Sequence, residues 1–220
     1  MPEYVRPEFP RRVFYDRDGA VIDYGRRWKG EAPPADSYGV DSNPERFAPL
    51  HSVAQALIEY LQRRYAVSVR EDAAFAADLM HPRDDVLRAV RVVPLSRDEA
   101  ALTFVFTAYP GVVVHAGLLH DFPFPQCGCD GCDESAETAA DELEWTVLTL
   151  VAGHFAEWVD PKADLQIGYE LSSPDGTRRA RGATGAIVPD ARLAAAAERL
   201  RELPRGWQPW TASAAGPDRG

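Results

Sequence analysis

The run Leu102-Thr103-Phe104-Val105-Phe106-Thr107, the breaker Tyr109-Pro110-Gly111 and the run Val112 to Leu119 commit the middle of this 220-residue chain to a β-hairpin. In the first run Leu102, Phe104 and Phe106 alternate with Thr103, Val105 and Thr107, the period of a strand. Proline and glycine suit the second and third positions of a type II turn. The return run Val112-Val113-Val114-His115-Ala116-Gly117-Leu118-Leu119 is apolar on both faces, which predicts a central strand. A hairpin at the centre forces an antiparallel sheet, and everything else must pack around it.

The flanking segments supply helices and further strands. Phe47, Leu50, Ala54, Leu57, Ile58, Leu61 and Tyr65 recur at helical spacing, after Asn43-Pro44-Glu45 as a start signal. Pro49 would cost a continuous helix one backbone bond, so the main helix is expected to begin near it after a separate turn. Residues 86–95 read as a strand. Residues 134–159 read as the longest helix, with Leu143, Val147, Leu150, Val151, His154 and Trp158 on one face. Leu165, Ile167, Tyr169 and Leu171 alternate as a strand, Ser173-Pro174-Asp175-Gly176 is a turn, and 177–187 follow as its partner. Asp190 to Leu203 reads as a last helix, stopped by Pro204. The expectation is an α+β fold: an antiparallel sheet with helices packed mainly on one face. Residues 1–45 form an irregular N-terminal arm that wraps a core of 46–205, and 206–220 form a tail, all one domain.

The formal net charge is −10 and the sequence pI is near 5.0. An acidic surface repels phosphate backbones and anionic lipids, so neither nucleic acid nor a membrane is an expected partner. Arg178, Arg179 and Arg181 are the densest basic stretch and read as a solvated strand face. The N-terminus carries acid and proline where a secretory segment needs an apolar core, and no run reaches 18 apolar residues, so the expected location is cytoplasmic.

All three cysteines fall in Cys127-Gly128-Cys129-Asp130-Gly131-Cys132-Asp133-Glu134. Zinc takes four ligands in a tetrahedron from thiolates and imidazoles. The spacing offers three from one loop, and Gly128 and Gly131 let that loop turn sharply. The fourth ligand must come from elsewhere. His120, seven residues upstream, ranks first, His115 second and His154 third; Asp130 or a water are further options. His115 and His154 also fit as core histidines, and His51 and His81 as surface or capping residues. Asp130, Asp133 and Glu134 suit helix capping.

No H-E-x-x-H, G-x-S-x-G or P-loop is present, and Gly182-Ala183-Thr184-Gly185 is too sparse for a phosphate loop. The zinc-deaminase pattern fails too, because Ala116-Gly117 follows His115 and Gln126 follows Pro125. A structural zinc is therefore favoured over a catalytic one.

At Phe122-Pro123-Phe124-Pro125-Gln126 and the cysteine run, the chain resembles an uncharacterised actinobacterial domain-of-unknown-function family. The resemblance extends through Leu102 to His120, Asp23 to Trp28 and Pro44 to His51. It implies a single domain with the cysteine loop as signature, and no activity.

Three functions compete. The first is a binding or scaffold domain with structural zinc. The second is a hydrolase-type enzyme with a pocket between arm and sheet, lined by Arg27, Trp28, Asp36, Tyr38 and His51. The third is a thiol redox sensor that releases zinc on oxidation. Trp207 and Trp210 fit either a self-association surface or packing on the parent domain.

Overall fold

In a computed structural model, residues 3–160, 167–185, 188–203 and 206–214 are described. The central hairpin forms as expected and lies inside a five-stranded antiparallel meander: β3 (Val67–Glu71), β4 (Val86–Pro94), β5 (Leu102–Thr107), β6 (Val112–Ala116) and β7 (His120–Phe124), in that spatial order. Before it come a short ribbon, β1 (Phe14–Tyr15) with β2 (Val21–Ile22), and helix α1 (Pro49–Arg64). After it come α2 (Ala136–Val151), a three-stranded antiparallel sheet of β8 (Phe155–Val159), β9 (Ile167–Ser172) and β10 (Arg179–Thr184), and α3 (Asp190–Arg201). The fold is α+β.

Pairing explains the burial of the centre. β5 is flanked on both sides, and all six of its residues are buried. Its Leu102, Phe104 and Phe106 join Val90, Val92, Val112, Val114 and Phe124 on one face. Against that face pack Leu50, Val53, Leu57 and Leu61 of α1 and Leu143, Val147 and Leu150 of α2. Each such side chain contributes about 1.5–3 kcal/mol by leaving water. The opposite face is covered differently. Ala89, Val105 and Val113 meet Leu79 and Phe75 from the 3-10 segment Ala73–Asp78, whose start is capped by the Asp72 carboxylate.

Several expectations need correction. The turn after β5 is not type II: Gly111 does not have positive φ, and the Thr107 amide donates to the Gly111 carbonyl across a wider loop. Glycine is required there for space, since a Cβ would lie 2.7 Å from the Phe124 carbonyl oxygen. The return strand stops at Ala116, because Gly117 at φ +64° turns the chain and His120 opens a new strand, β7. The helix expected over 134–159 ends at Val151. Gly153 at φ +79° reverses the chain, so His154 and Trp158 lie beyond the helix, and Trp158 is in β8. A Cβ on Gly153 would sit 2.5 Å from the Pro209 backbone nitrogen. The helices also serve two sheets rather than one.

Other expectations hold. A 3-10 turn over Pro44–Phe47 precedes α1, which starts at Pro49. The β9–β10 hairpin turns at Ser173 to Gly176, where Asp175 accepts from the Ser173 hydroxyl and the Thr177 amide. Part of the expected 177–187 strand, part of the expected strand around Leu165, and Pro204 lie outside the described residues. The basic stretch departs from the expected solvated strand face: Arg178 precedes β10, pairs with Glu142 and lies over Trp145, Arg181 lies over Trp158, and Arg179 pairs with Glu170. Trp207 and Trp210 are buried against the parent fold: their indoles donate to the Glu157 carboxylate and the Ala100 carbonyl. No helix among the described residues is long and apolar enough to cross a membrane.

Candidate metal centre

The cysteine loop joins β7 to α2 and is held at both ends. At its start, the amides of Gln126 and Cys127 donate to the Glu134 carboxylate. At its end, the Ser135 hydroxyl accepts from the Thr138 amide and caps α2. The expected capping by Asp130, Asp133 or Glu134 therefore goes to serine, and the three carboxylates serve the loop and the arm instead.

The arm closes over the loop. The Asp130 amide donates to the Val40 carbonyl and the Gly131 amide to the Ser37 carbonyl. The Asp130 carboxylate accepts from the Ser42 amide and hydroxyl and pairs with Arg27 at 3.1 Å. Burial works against its charge, but these donors hold its carboxyl below the usual range. Asp133, at φ +54°, accepts from the Arg27 amide. Arg46, itself buried, donates to the carbonyls of Gly128, Glu134 and Asn43 and stacks on Tyr24 and Phe47. The two loop glycines are required for these close approaches. A Cβ on Gly128 would run into the Tyr109 hydroxyl, and one on Gly131 would lie 2.8 Å from the Tyr38 ring.

Inside this clamp the sulfurs of Cys127, Cys129 and Cys132 all lie within 4.8 Å of one another, and no disulfide joins them. The Cys127 thiol donates to the Cys129 sulfur at 3.3 Å, and the Cys132 amide approaches the same sulfur at 3.4 Å. Burial opposes the charged form of Cys129, but these donors, with the Gly39 amide, bring its thiol down to about 7. Its bonds to Cys127 and Cys129 push the Cys132 thiol up to about 12. Three thiolates around zinc at about 2.3 Å stand about 3.8 Å apart, a separation that falls between the 3.3 Å of the Cys127–Cys129 pair and the 4.8 Å limit of the group.

The structure does not bring the candidate fourth ligands to this loop. His120 opens β7 at the end remote from the cysteines, about 13 Å of strand before Phe124. Its Nδ1 bonds the Glu157 carboxylate at 2.8 Å. His115 points to the other face of the sheet, with Nδ1 on Asp121 at 2.7 Å. His154 follows the far end of α2, a helix about 24 Å long, from the loop that feeds its start. The Asp130 carboxylate is taken up by Ser42 and Arg27. Among the described residues, the group whose ligand atoms lie close enough together to hold a metal ion is the three cysteines, with Cys132 exposed.

The residues proposed for an enzymatic pocket divide. Arg27, Trp28 and Asp36 line one hollow of about 550 Å³ beside the arm, together with Asp18, Ser42 and Asp130. Tyr38 instead packs on Gly131, and His51 bonds the Gly111 carbonyl through Nε2 at 3.0 Å. The hollow's Arg27 and Asp130 are paired to each other, and it holds no histidine or cysteine among its described lining residues.

Sequence reasoning missed Glu157, the buried carboxylate that receives His120. The alternation Phe155-Ala156-Glu157-Trp158-Val159 was the available signal, hidden by reading it as the end of a helix.

No curated protein and no solved structure matches the chain. A family model does match, over residues 10–214, nearly the whole chain and including the cysteine loop and its arm clamp. The chain thus belongs to a family of unknown function, DUF6226.

Proposed function

We propose that Cys127, Cys129 and Cys132 hold one zinc ion, and that this ion is structural, fastening the N-terminal arm to the start of α2. The observation that carries the reading is the convergence of three sulfurs within 4.8 Å inside a loop already anchored at both ends. Such a loop loses little further entropy on taking up an ion. Zinc lowers the pKa of its thiols, so all three bind as thiolates. The resulting negative charge lies beside Arg46, and through Asp130 beside Arg27. With His120 engaged by Glu157, the fourth position falls to water, on the side where Cys132 meets solvent. The protein then acts as a binding or scaffold domain, in a reducing compartment such as the cytoplasm.

Metal analysis of the purified chain should give about one zinc per molecule. Chelation should speed amide exchange in 126–135 and in 23–47 together, because the two share hydrogen bonds. Metal-free protein with unchanged exchange, prepared under reducing and zinc-replete conditions, sinks the reading.

A second reading draws on the 3.3 Å approach of the Cys127 and Cys129 sulfurs. Peroxide would take two electrons from this pair, forming one disulfide and two waters, and the ion would lose two ligands. Mass spectrometry of peroxide-treated protein should then show a Cys127–Cys129 disulfide together with zinc release. Thiols that survive this treatment with zinc retained leave the structural reading alone.

A further inference from the structure

A second site lies away from the cysteines, where β7 faces the second sheet. Glu157 on β8 is buried, and its carboxylate collects donors from three directions: the amides of Leu118 and Leu119, the Trp207 indole at 2.9 Å and His120 at 2.8 Å. A carboxylate that receives this many N–H groups acts as an acceptor alone. Nδ1 of His120 is therefore the donor to it, and in the neutral form of the ring the lone pair then lies on Nε2. Tyr169 and Phe155 meet the ring edge-on with centroids 5.1 and 6.2 Å away.

Nε2 is buried and has no hydrogen-bond partner among the described residues. Buried polar atoms are normally satisfied, and leaving one bare is costly. The ring lines a cavity of about 200 Å³, walled mainly by Met80, Leu119, Ile167 and Tyr169. Its rim carries the exposed residues His81 and Thr184, which gives a path from solvent. An apolar cavity of about 150 Å³ accommodates a benzene ring, so this one has room for a ring with a substituent.

The surroundings select the polar group. A metal ion would find a single free ligand, because the neighbouring Asp121 carboxylate is already occupied by His115 and the amides of Met80 and His81. An anion would meet the carboxylates of Glu157 and Asp121. A neutral molecule with one hydrogen-bond donor and an otherwise apolar body satisfies Nε2 without adding charge.

We propose that this cavity binds a single-ring hydroxy compound, of which phenol is the smallest member, with the hydroxyl donating to Nε2 of His120. The site is independent of the cysteine loop and of the reading given for it. The test is a titration of the full chain, carrying ¹⁵N-labelled histidine, with phenol and separately with toluene, which has similar shape and no donor. Phenol should bind no more weakly than toluene although its hydroxyl leaves water on entry, because the bond to Nε2 replaces what is lost, and should move the His120 Nε2 resonance where toluene does not. Toluene binding about tenfold or more tightly than phenol, phenol binding that leaves the resonance still, or no phenol binding up to its solubility would each overturn the proposal. Ile167→Phe, which enlarges a side chain lining the cavity, should remove phenol binding while the Nδ1 signature of the His120–Glu157 bond persists. A folded Ile167→Phe variant that binds phenol as before would overturn it as well.

Discussion

The cysteine loop and the His120 cavity are two ways to build a site on one fold. In the loop, the three sulfurs come from six consecutive residues, and the fold contributes the clamp: Glu134, Ser135 and the arm residues Arg27, Ser42 and Arg46. In the cavity, His120 and its orienting Glu157 are 37 residues apart, and the walls come from β7, β9, β10 and the segment at Met80. The first site is local chemistry held still by tertiary structure. The second exists only because two sheets meet. The loop is also partly open to solvent, which suits an ion that must enter, whereas the Glu157 side chain is removed from water, which suits a group whose task is to hold another.

This contrast can be broken or sharpened by experiment. The largest effect is expected at the loop. The double substitution Cys127→Ser, Cys129→Ser should take bound zinc from about one per chain to none by elemental analysis, while near-ultraviolet circular dichroism of the sheet core is retained. Structural zinc sites in small peptides are worth about 10–16 kcal/mol of binding, so partial retention of metal would disprove a site built from these thiolates. Next in size is the anchor of the other site. Glu157→Ala strips four donors of their acceptor and should destabilise the fold by about 3–5 kcal/mol in urea denaturation, without changing zinc content. A variant that loses both would show that the two regions are one unit.

Smaller effects test the connections between the regions. Gly153→Ala forces a side chain into the left-handed region, against Pro209, at the turn that sends the chain from α2 into β8. The expected cost is about 1–3 kcal/mol, read from the same denaturation curve. Ser135→Ala removes the α2 cap next to the loop and should cost about 1 kcal/mol. The smallest effect concerns the arm. Because the Asp130 carboxyl is held below its ordinary value in the folded state, its contribution is complete above that ordinary value, about 3.9, and fades as pH falls through the depressed one. Wild-type protein should thus lose more stability between pH 5 and pH 3, both chosen about the ordinary carboxyl value, than Asp130→Asn does. Parallel losses would show that Asp130 does not tie down the arm.

How much of this was legible follows the distance over which each feature is encoded. The β5–β6 hairpin, the start of α1 at Pro49 and the β9–β10 turn rest on residues next to one another in the chain, and all are present. The end of α2 was encoded locally as well, in Ala152-Gly153, a helix stop signal. It was overridden by an apolar pattern that happens to continue at helical spacing through His154 and Trp158. The convergence of the cysteines was readable from their spacing. The position of His120 was not. Its place near the loop in sequence suggested a shared ion, but in β7 four residues of extended chain carry it away from the loop and toward β8.

By itself, the sequence determined the antiparallel centre, the α+β class and a cluster of three thiols, because strand alternation, turn chemistry and ligand spacing act between near neighbours. Tertiary structure alone decided which carboxylate each histidine meets, which arm residues close over the thiols, and where Nε2 of His120 is left bare. Those outcomes depend on how two sheets and two helices share one apolar core, and burial is indifferent to the sequence distance between the groups it brings together.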